Sequence, residues 1–189
     1  MSNRKNLLYG LYASILAFVI IEGLLLEVVL EGVMSPYEGL SILFMASLIP
    51  IGVIAYFGYL NWLVKGRDVF RYASLVALVL GSLSIYRGFL GFQDALPLLF
   101  IAYFTEVVVG PYLKKGFEEV DRTSANMFVS GIITFVFTLP LVTISSSLAI
   151  LPFLGNLLKG FGLMKLAYIV RNGGKVASDV VLLQASPSS

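Results

Sequence analysis

Histidine and cysteine are both absent from this chain of 189 residues, and the two absences remove much of enzyme chemistry at once. Without cysteine there is no disulfide framework, no thiolate nucleophile and no iron–sulfur ligand, and the redox compartment cannot be read. Without histidine as well, zinc sites, His-ligated haem and serine–histidine hydrolysis are excluded. No cofactor or metal site is expected. Glutamine is scarce, with Gln93 and Gln184 alone, a usage expected of a thermophile that avoids thermolabile residues. Charge is scarce too: 13% of residues are Asp, Glu, Lys or Arg, against about a quarter in soluble domains. The net charge of +2 is too small to suggest a nucleic-acid partner.

What fills the chain instead is apolar. Hydrophobic residues make up 58% of it, and the mean hydropathy is +0.92. A surface of that composition needs a lipid bilayer as solvent, so the expected fold class is all-α: a polytopic integral membrane protein built as a bundle of six transmembrane helices. Arg4 and Lys5 ahead of an apolar run imitate a signal peptide. However, Leu7 to Leu30 exceeds the roughly 7–15 residues of a signal core and lacks a small-residue cleavage site, so it reads as a retained helix.

A span needs about 20 apolar residues. Six such segments are legible, at about 7–30, 36–64, 69–87, 95–115, 125–145 and 148–171, forming one domain over 1–174. The second start, Ser35-Pro36-Tyr37-Glu38, has the form of a capping box with proline at the first helical position. Gly66 reads as the C-cap of that helix. Asp68, Asp94 and Thr123 or Ser124 read as the caps of the third, fourth and fifth helices. Pro140 removes an amide donor within the fifth span, as Pro50 and Pro111 do in the second and fourth. The boundary between the fifth and sixth helices is open, because Ser145-Ser146-Ser147 and Pro152 both signal it; five spans plus an interfacial last helix are the alternative. Residues 175–189 are expected to be a poorly ordered tail.

Orientation follows from basic residues. Arg4, Lys5, Lys65, Arg67, Arg71, Lys114, Lys115, Arg122, Arg171 and Lys175 fall on one side of a six-span threading, and Arg87 on the other. The positive-inside rule then puts both termini in the cytoplasm of a cell-membrane protein. Tyr9, Tyr12, Tyr59, Trp62, Tyr72, Tyr112 and Tyr168 near the inner ends, with Tyr37 and Tyr86 near the outer ones, read as headgroup anchors.

Chemistry is expected where charge enters the spans. Glu22, Glu106 and Lys159 lie inside the first, fourth and sixth helices, and each costs roughly 2.5–3.5 kcal/mol at a helix centre unless partnered. With 1.5 Å of rise per residue, Glu106 is roughly 17 Å below the outer boundary and Lys159 roughly 11–17 Å, so the two can meet. They read as a proton or cation relay gated by Lys159, or as a fixed brace between helices. Asn156 lies three residues before Lys159, and Glu22, Asn156, Glu106 and Lys159 are the solute- or ion-pathway candidates. Glu27 and Glu31 are one turn apart and read as interfacial carboxylates with Arg87 nearby. Ser130, Thr134 and Thr138 form a polar stripe that can bond its own backbone. Ala73, Ala77 and Gly81, and likewise Ala13 and Ala17, repeat at four-residue spacing and read as faces for close helix packing, or for a membrane-protein partner or second copy.

Three functions compete on this evidence. The first is a small-solute or ion transporter or its membrane-embedded binding subunit; the second is a non-catalytic accessory subunit of a larger membrane complex. An intramembrane lipid-modifying enzyme comes third, since no catalytic motif is complete. Six spans in under 200 residues, with alanines at i and i+4 of the first helix, resemble in outline the vitamin-binding subunits of bacterial and archaeal uptake systems. The outline is one of size and topology; no substrate-binding signature accompanies it and no family is assigned.

Overall fold

The computed structural model describes residues 2–63 and 66–173. Lys65, Lys175 and the tail expected over 175–189 lie outside them. Six helical segments are long and apolar enough to cross a membrane, built on α1 (Ser2–Glu31), α2 (Ser41–Trp62), α3 (Arg67–Phe89), α4 (Ala95–Glu118), α5 (Arg122–Thr138), whose span continues to Thr143, and α6 (Ile150–Arg171). The chain is a multi-pass membrane protein. Its outer surface is apolar to a degree that water would not tolerate: Val79, Leu43 and Phe137, on three different helices, are each more than half exposed.

The helix ends correct several expectations. Ser35–Tyr37 is a separate 3₁₀ turn, and Ser35 Oγ donates to the Gly32 carbonyl rather than opening α2, which starts at Ser41. Tyr37 is buried, not interfacial; its hydroxyl meets Ser84 Oγ at 2.9 Å, and Ser84 Oγ donates to the Ala95 carbonyl. Tyr59 and Trp62 are also core residues, packed on Phe117, whereas Tyr9, Tyr12, Tyr72, Tyr86 and Tyr168 do face outward.

Further corrections fall at the caps. Gly66 precedes α3 as its N-cap, in the left-handed region (φ +73°), in place of the expected role at the end of α2. Neither Asp68 nor Asp94 caps with its side chain. The cap of α5 is Asp121, whose carboxylate accepts from the Ser124 amide at 2.8 Å. Pro140 ends α5 as an α-helix: Leu139–Thr143 winds on as 3₁₀, which needs a different donor pattern. The 17 residues of α5 and these five together reach roughly 35 Å, enough for a span. A third 3₁₀ turn, Ser146–Ala149, leads into α6, with Pro152 in its first turn. By contrast, α2 and α4 run through Pro50 and Pro111 as single helices.

Each helix packs against its neighbours in sequence, and α6 returns to α1, so the six form a closed ring. The tightest seam is α5–α6 and the loosest α2–α3. Glycine explains the first. A Cβ at Gly155 would lie 2.5 Å from the Phe135 amide nitrogen, and one at Gly131 would lie 2.3 Å from the Lys159 nitrogen; both obstacles are backbone. Gly10 and Gly58 let α1 and α2 approach in the same way. At the terminal end of the ring, the Arg4 guanidinium donates to the Val170 and Arg171 carbonyls and ties α1 to the end of α6.

The alanine stripe on α3 divides: Ala73 packs against the core, as a close-packing face should, and the other two members border space. Ala77 faces cavities inside the ring, and a Cβ at Gly81 would meet nothing within 4 Å. Ala77 and Gly81 leave space at the loose seam instead of closing it.

Candidate functional site

Helices packed as a ring cannot all meet at the axis, and the side chains that fill the centre are unusually polar for a membrane interior. Lys159 projects from α6 at a point where Gly131 lets the α5 backbone press against its own. Its Nζ lies 3.0 Å from Glu106 Oε2 on α4 and 5.0 Å from the centre of the Phe135 ring. Helices α4 and α6 are separated in the ring by α5, so this ion pair reaches across the interior. Lys159 is 7% exposed and Glu106 30%. The asymmetry has a plain cause: Glu106 opens onto space that Lys159 only borders.

That space is a cavity of about 210 Å³ lined by residues of all six helices, among them Ser14, Tyr59, Ser74, Ala77, Glu106 and Lys159. A second cavity of about 190 Å³ extends between α1, α2, α3 and α4 past Gly81, Ser82 and Tyr103. Glu106 lines both. The first cavity holds on the order of seven waters at about 30 Å³ each. It is smaller than typical ligand clefts of about 300–1,000 Å³, which suits a hydrated ion or a compact solute. Most of its wall is apolar. The polar exceptions include Glu106, Lys159, Ser74 and a hydrogen-bonded pair, Ser14 Oγ and Tyr59 hydroxyl, 3.0 Å apart. Thr105, next to Glu106, turns its hydroxyl to the Ala102 carbonyl, its own helix backbone.

The other two candidates lie on the far side of Lys159. Asn156 is fully buried and donates from Nδ2 to the Phe18 carbonyl of α1 at 3.4 Å, bridging α6 to α1. Glu22, one turn beyond Phe18, lies beside the Asn156 amide and within electrostatic range of Lys159. The four candidates thus come together as one group across α1, α4 and α6.

The remaining expectations scatter. Arg87 pairs with Asp94 (2.7 Å) and covers the Phe92 ring, so it is not a partner of Glu27, which instead accepts from Ser41 Oγ at 2.6 Å. Ser130 and Thr134 face outward, and Thr138 donates to the Thr134 carbonyl. Among the described residues no group of three or more acidic side chains converges as a metal site.

Sequence reasoning missed Lys165, which pairs with Asp121 at 3.1 Å outside the polar centre, and it missed the Ser14–Tyr59 pair. It also missed the glycines of the α5–α6 seam. The seven-residue interval from Gly155 to Gly162 was the signal available for them.

Fold and site together define a class: a multi-pass α-helical membrane protein with a charged, hydrated-size cavity inside a ring of six spans. Comparison with protein-family models, with curated proteins and with solved structures yields no match.

Proposed function

We propose that the protein is a transporter of a small solute or ion, or the membrane-embedded binding subunit of one. The observation that carries this reading is the cavity of about 210 Å³ at whose wall Glu106 and Lys159 face one another. A brace between helices needs no cavity beside it, and burying a charge next to empty space forfeits the packing that a brace supplies. Glu106 can receive a cation or a proton from the cavity, and Lys159 sets whether it is free to do so. In this reading both termini are cytoplasmic, since Arg4, Arg67, Arg71, Lys114, Lys115, Arg122 and Arg171 lie at one end of the ring.

The test is a thermal-shift screen of small ions and metabolites on the purified protein and on Glu106→Gln. A ligand that raises the melting midpoint of the wild type and leaves the variant unmoved is expected. A second reading, an accessory subunit in a larger complex, draws on the outward apolar face of α3, where Leu75, Val79 and Leu83 are exposed and a partner helix could pack. If no ligand shifts the midpoint and a membrane protein co-purifies in fixed stoichiometry, the second reading replaces the first.

A further inference from the structure

The polar centre contains two carboxyl groups and one ammonium, and three of its acceptor atoms have no donor. Both Glu22 carboxyl oxygens are shut off from solvent and have no hydrogen-bond partner among the described residues, although the side chain as a whole is only half-buried; its exposure belongs to the methylene stem. Asn156 Oδ1 is in the same condition. Turning the Asn156 amide over would offer Nδ2 to Glu22 but would set Oδ1 against the Phe18 carbonyl, acceptor against acceptor. Lys159 cannot supply the missing donor while it is held by Glu106. A single hydrogen on Glu22 removes the uncompensated charge and puts an O–H beside Asn156, whose Oδ1 lacks a donor; of the three orphans only the carbonyl oxygen of the acid, a weaker acceptor than a carboxylate, is then left.

Charge counting leads to the same place. The charged side chains that bear on Glu22 are Lys159 from α6 and, behind it, Glu106 from α4; the other helix packed against α1, α2, contributes none. In a low-dielectric interior the favoured state is net neutral, and two carboxyls with one ammonium are neutral only when they hold one proton between them.

We infer that Glu22 is a proton-binding site, and that Glu22 and Glu106 share one proton across Lys159. In the conformation described, the proton is on Glu22 and Lys159 is bonded to Glu106. In the alternative, Lys159 leaves one of its ammonium protons on the Glu106 carboxylate and takes the Glu22 proton in its place, so that the Glu22 O–H bond breaks, Glu106 becomes the acid facing the cavity and the Lys159 ammonium pairs with the Glu22 carboxylate. Net charge is zero before and after. Lys159 is the switch, since it can neutralise one carboxylate at a time. This makes the proton the coupling ion of any solute movement through the cavity, but the proton count itself does not depend on a solute being carried.

Infrared spectroscopy reads that count directly, through the C=O stretch of a buried carboxylic acid, in detergent-purified full-length protein at neutral pH. The wild type should show one such band. Glu22→Gln should abolish it. Glu106→Gln should abolish it as well, because Lys159 is then left to ionise Glu22. Lys159→Met should double it, since neither carboxyl retains a cation. The two glutamine variants are near-isosteric and keep the fold testable; circular dichroism checks each. A wild-type band that survives in Glu22→Gln overturns the assignment, as does a wild type with no acid band. Loss of the band in Glu22→Gln but not in Glu106→Gln overturns the sharing. None of these outcomes depends on finding a transported solute, so the failure of the transport reading leaves the proton site standing and the reverse also holds.

Discussion

Replacing Gly155 with alanine tests the ring at its tightest seam. The added methyl would lie 2.5 Å from the Phe135 nitrogen, 2.9 Å from its Cα and 3.0 Å from the Thr134 carbonyl carbon. All three are backbone atoms of α5, so no side chain can rotate out of the way. Reaching an ordinary contact distance requires the two helices to part by about 1 Å, which loosens the dispersion contacts along the seam. Overpacking of this kind costs about 1–3 kcal/mol, offset by about 0.5–1 kcal/mol because alanine is the better helix residue. For a chain of this size each 1 kcal/mol lowers the melting midpoint by about 2–4 °C. Gly81→Ala is the matched control, on a helix whose glycine has nothing within 4 Å; there only the helix-propensity gain operates, and the midpoint should rise slightly or stay. Both variants can be followed by intrinsic fluorescence of Trp62 and the tyrosines during a thermal ramp in detergent. Two results would refute the reasoning: a Gly155→Ala midpoint equal to wild type, or a Gly81→Ala midpoint that falls as far.

Three further outcomes are expected. A double-mutant cycle on Glu106→Gln and Lys159→Met, made in a Glu22→Gln background so that Lys159 has no second carboxylate to turn to, should give a coupling of about 1–3 kcal/mol, below the 3–5 kcal/mol of a fully buried pair because Glu106 is 30% exposed to the cavity; strict additivity in chemical denaturation would mean that the ion pair does not form. Asp121→Ala should cost about 1 kcal/mol by uncapping α5. The Ser124 hydroxyl and amide hold the Asp121 carboxyl below the usual carboxylate range, so this contribution is complete above the ordinary aspartate value. It is lost as pH falls through the depressed folded-state value, where the wild-type and variant stability curves should converge; curves that stay parallel into strong acid would deny the cap. Finally, the absence of cysteine permits clean labelling with an impermeant thiol reagent: Glu38→Cys should react from outside intact cells and Glu119→Cys should not, and the opposite pattern would invert the orientation.

The spans were legible in the sequence because twenty apolar residues in a row have few other uses, and because a bilayer leaves the backbone no alternative to helix. The inner charges were legible for the same reason: in so apolar a chain, Glu22, Glu106 and Lys159 stand out, and rise per residue already put two of them at one depth. Local caps were less secure. Ser35-Pro36-Tyr37-Glu38 has the letters of a capping box, yet Ser35 bonds backward to Gly32 and the segment closes a turn of its own, because burying Tyr37 against Ser84 outweighs an earlier helix start.

Sequence by itself therefore determined the solvent, the places of the apolar spans and which side chains could not be left unpartnered. Tertiary structure decided the ring order, the side of each helix that faces inward and the use made of small residues. Four-residue spacing is identical on a helix that packs tightly and on one that borders a void. At Gly155 a neighbouring backbone occupies the space a Cβ would need, and at Gly81 nothing does. That difference lies in where the other helices stand, so no window of one chain segment contains it. The same holds for Glu22 and Asn156, whose unpartnered oxygens become visible only once α1 and α6 lie side by side.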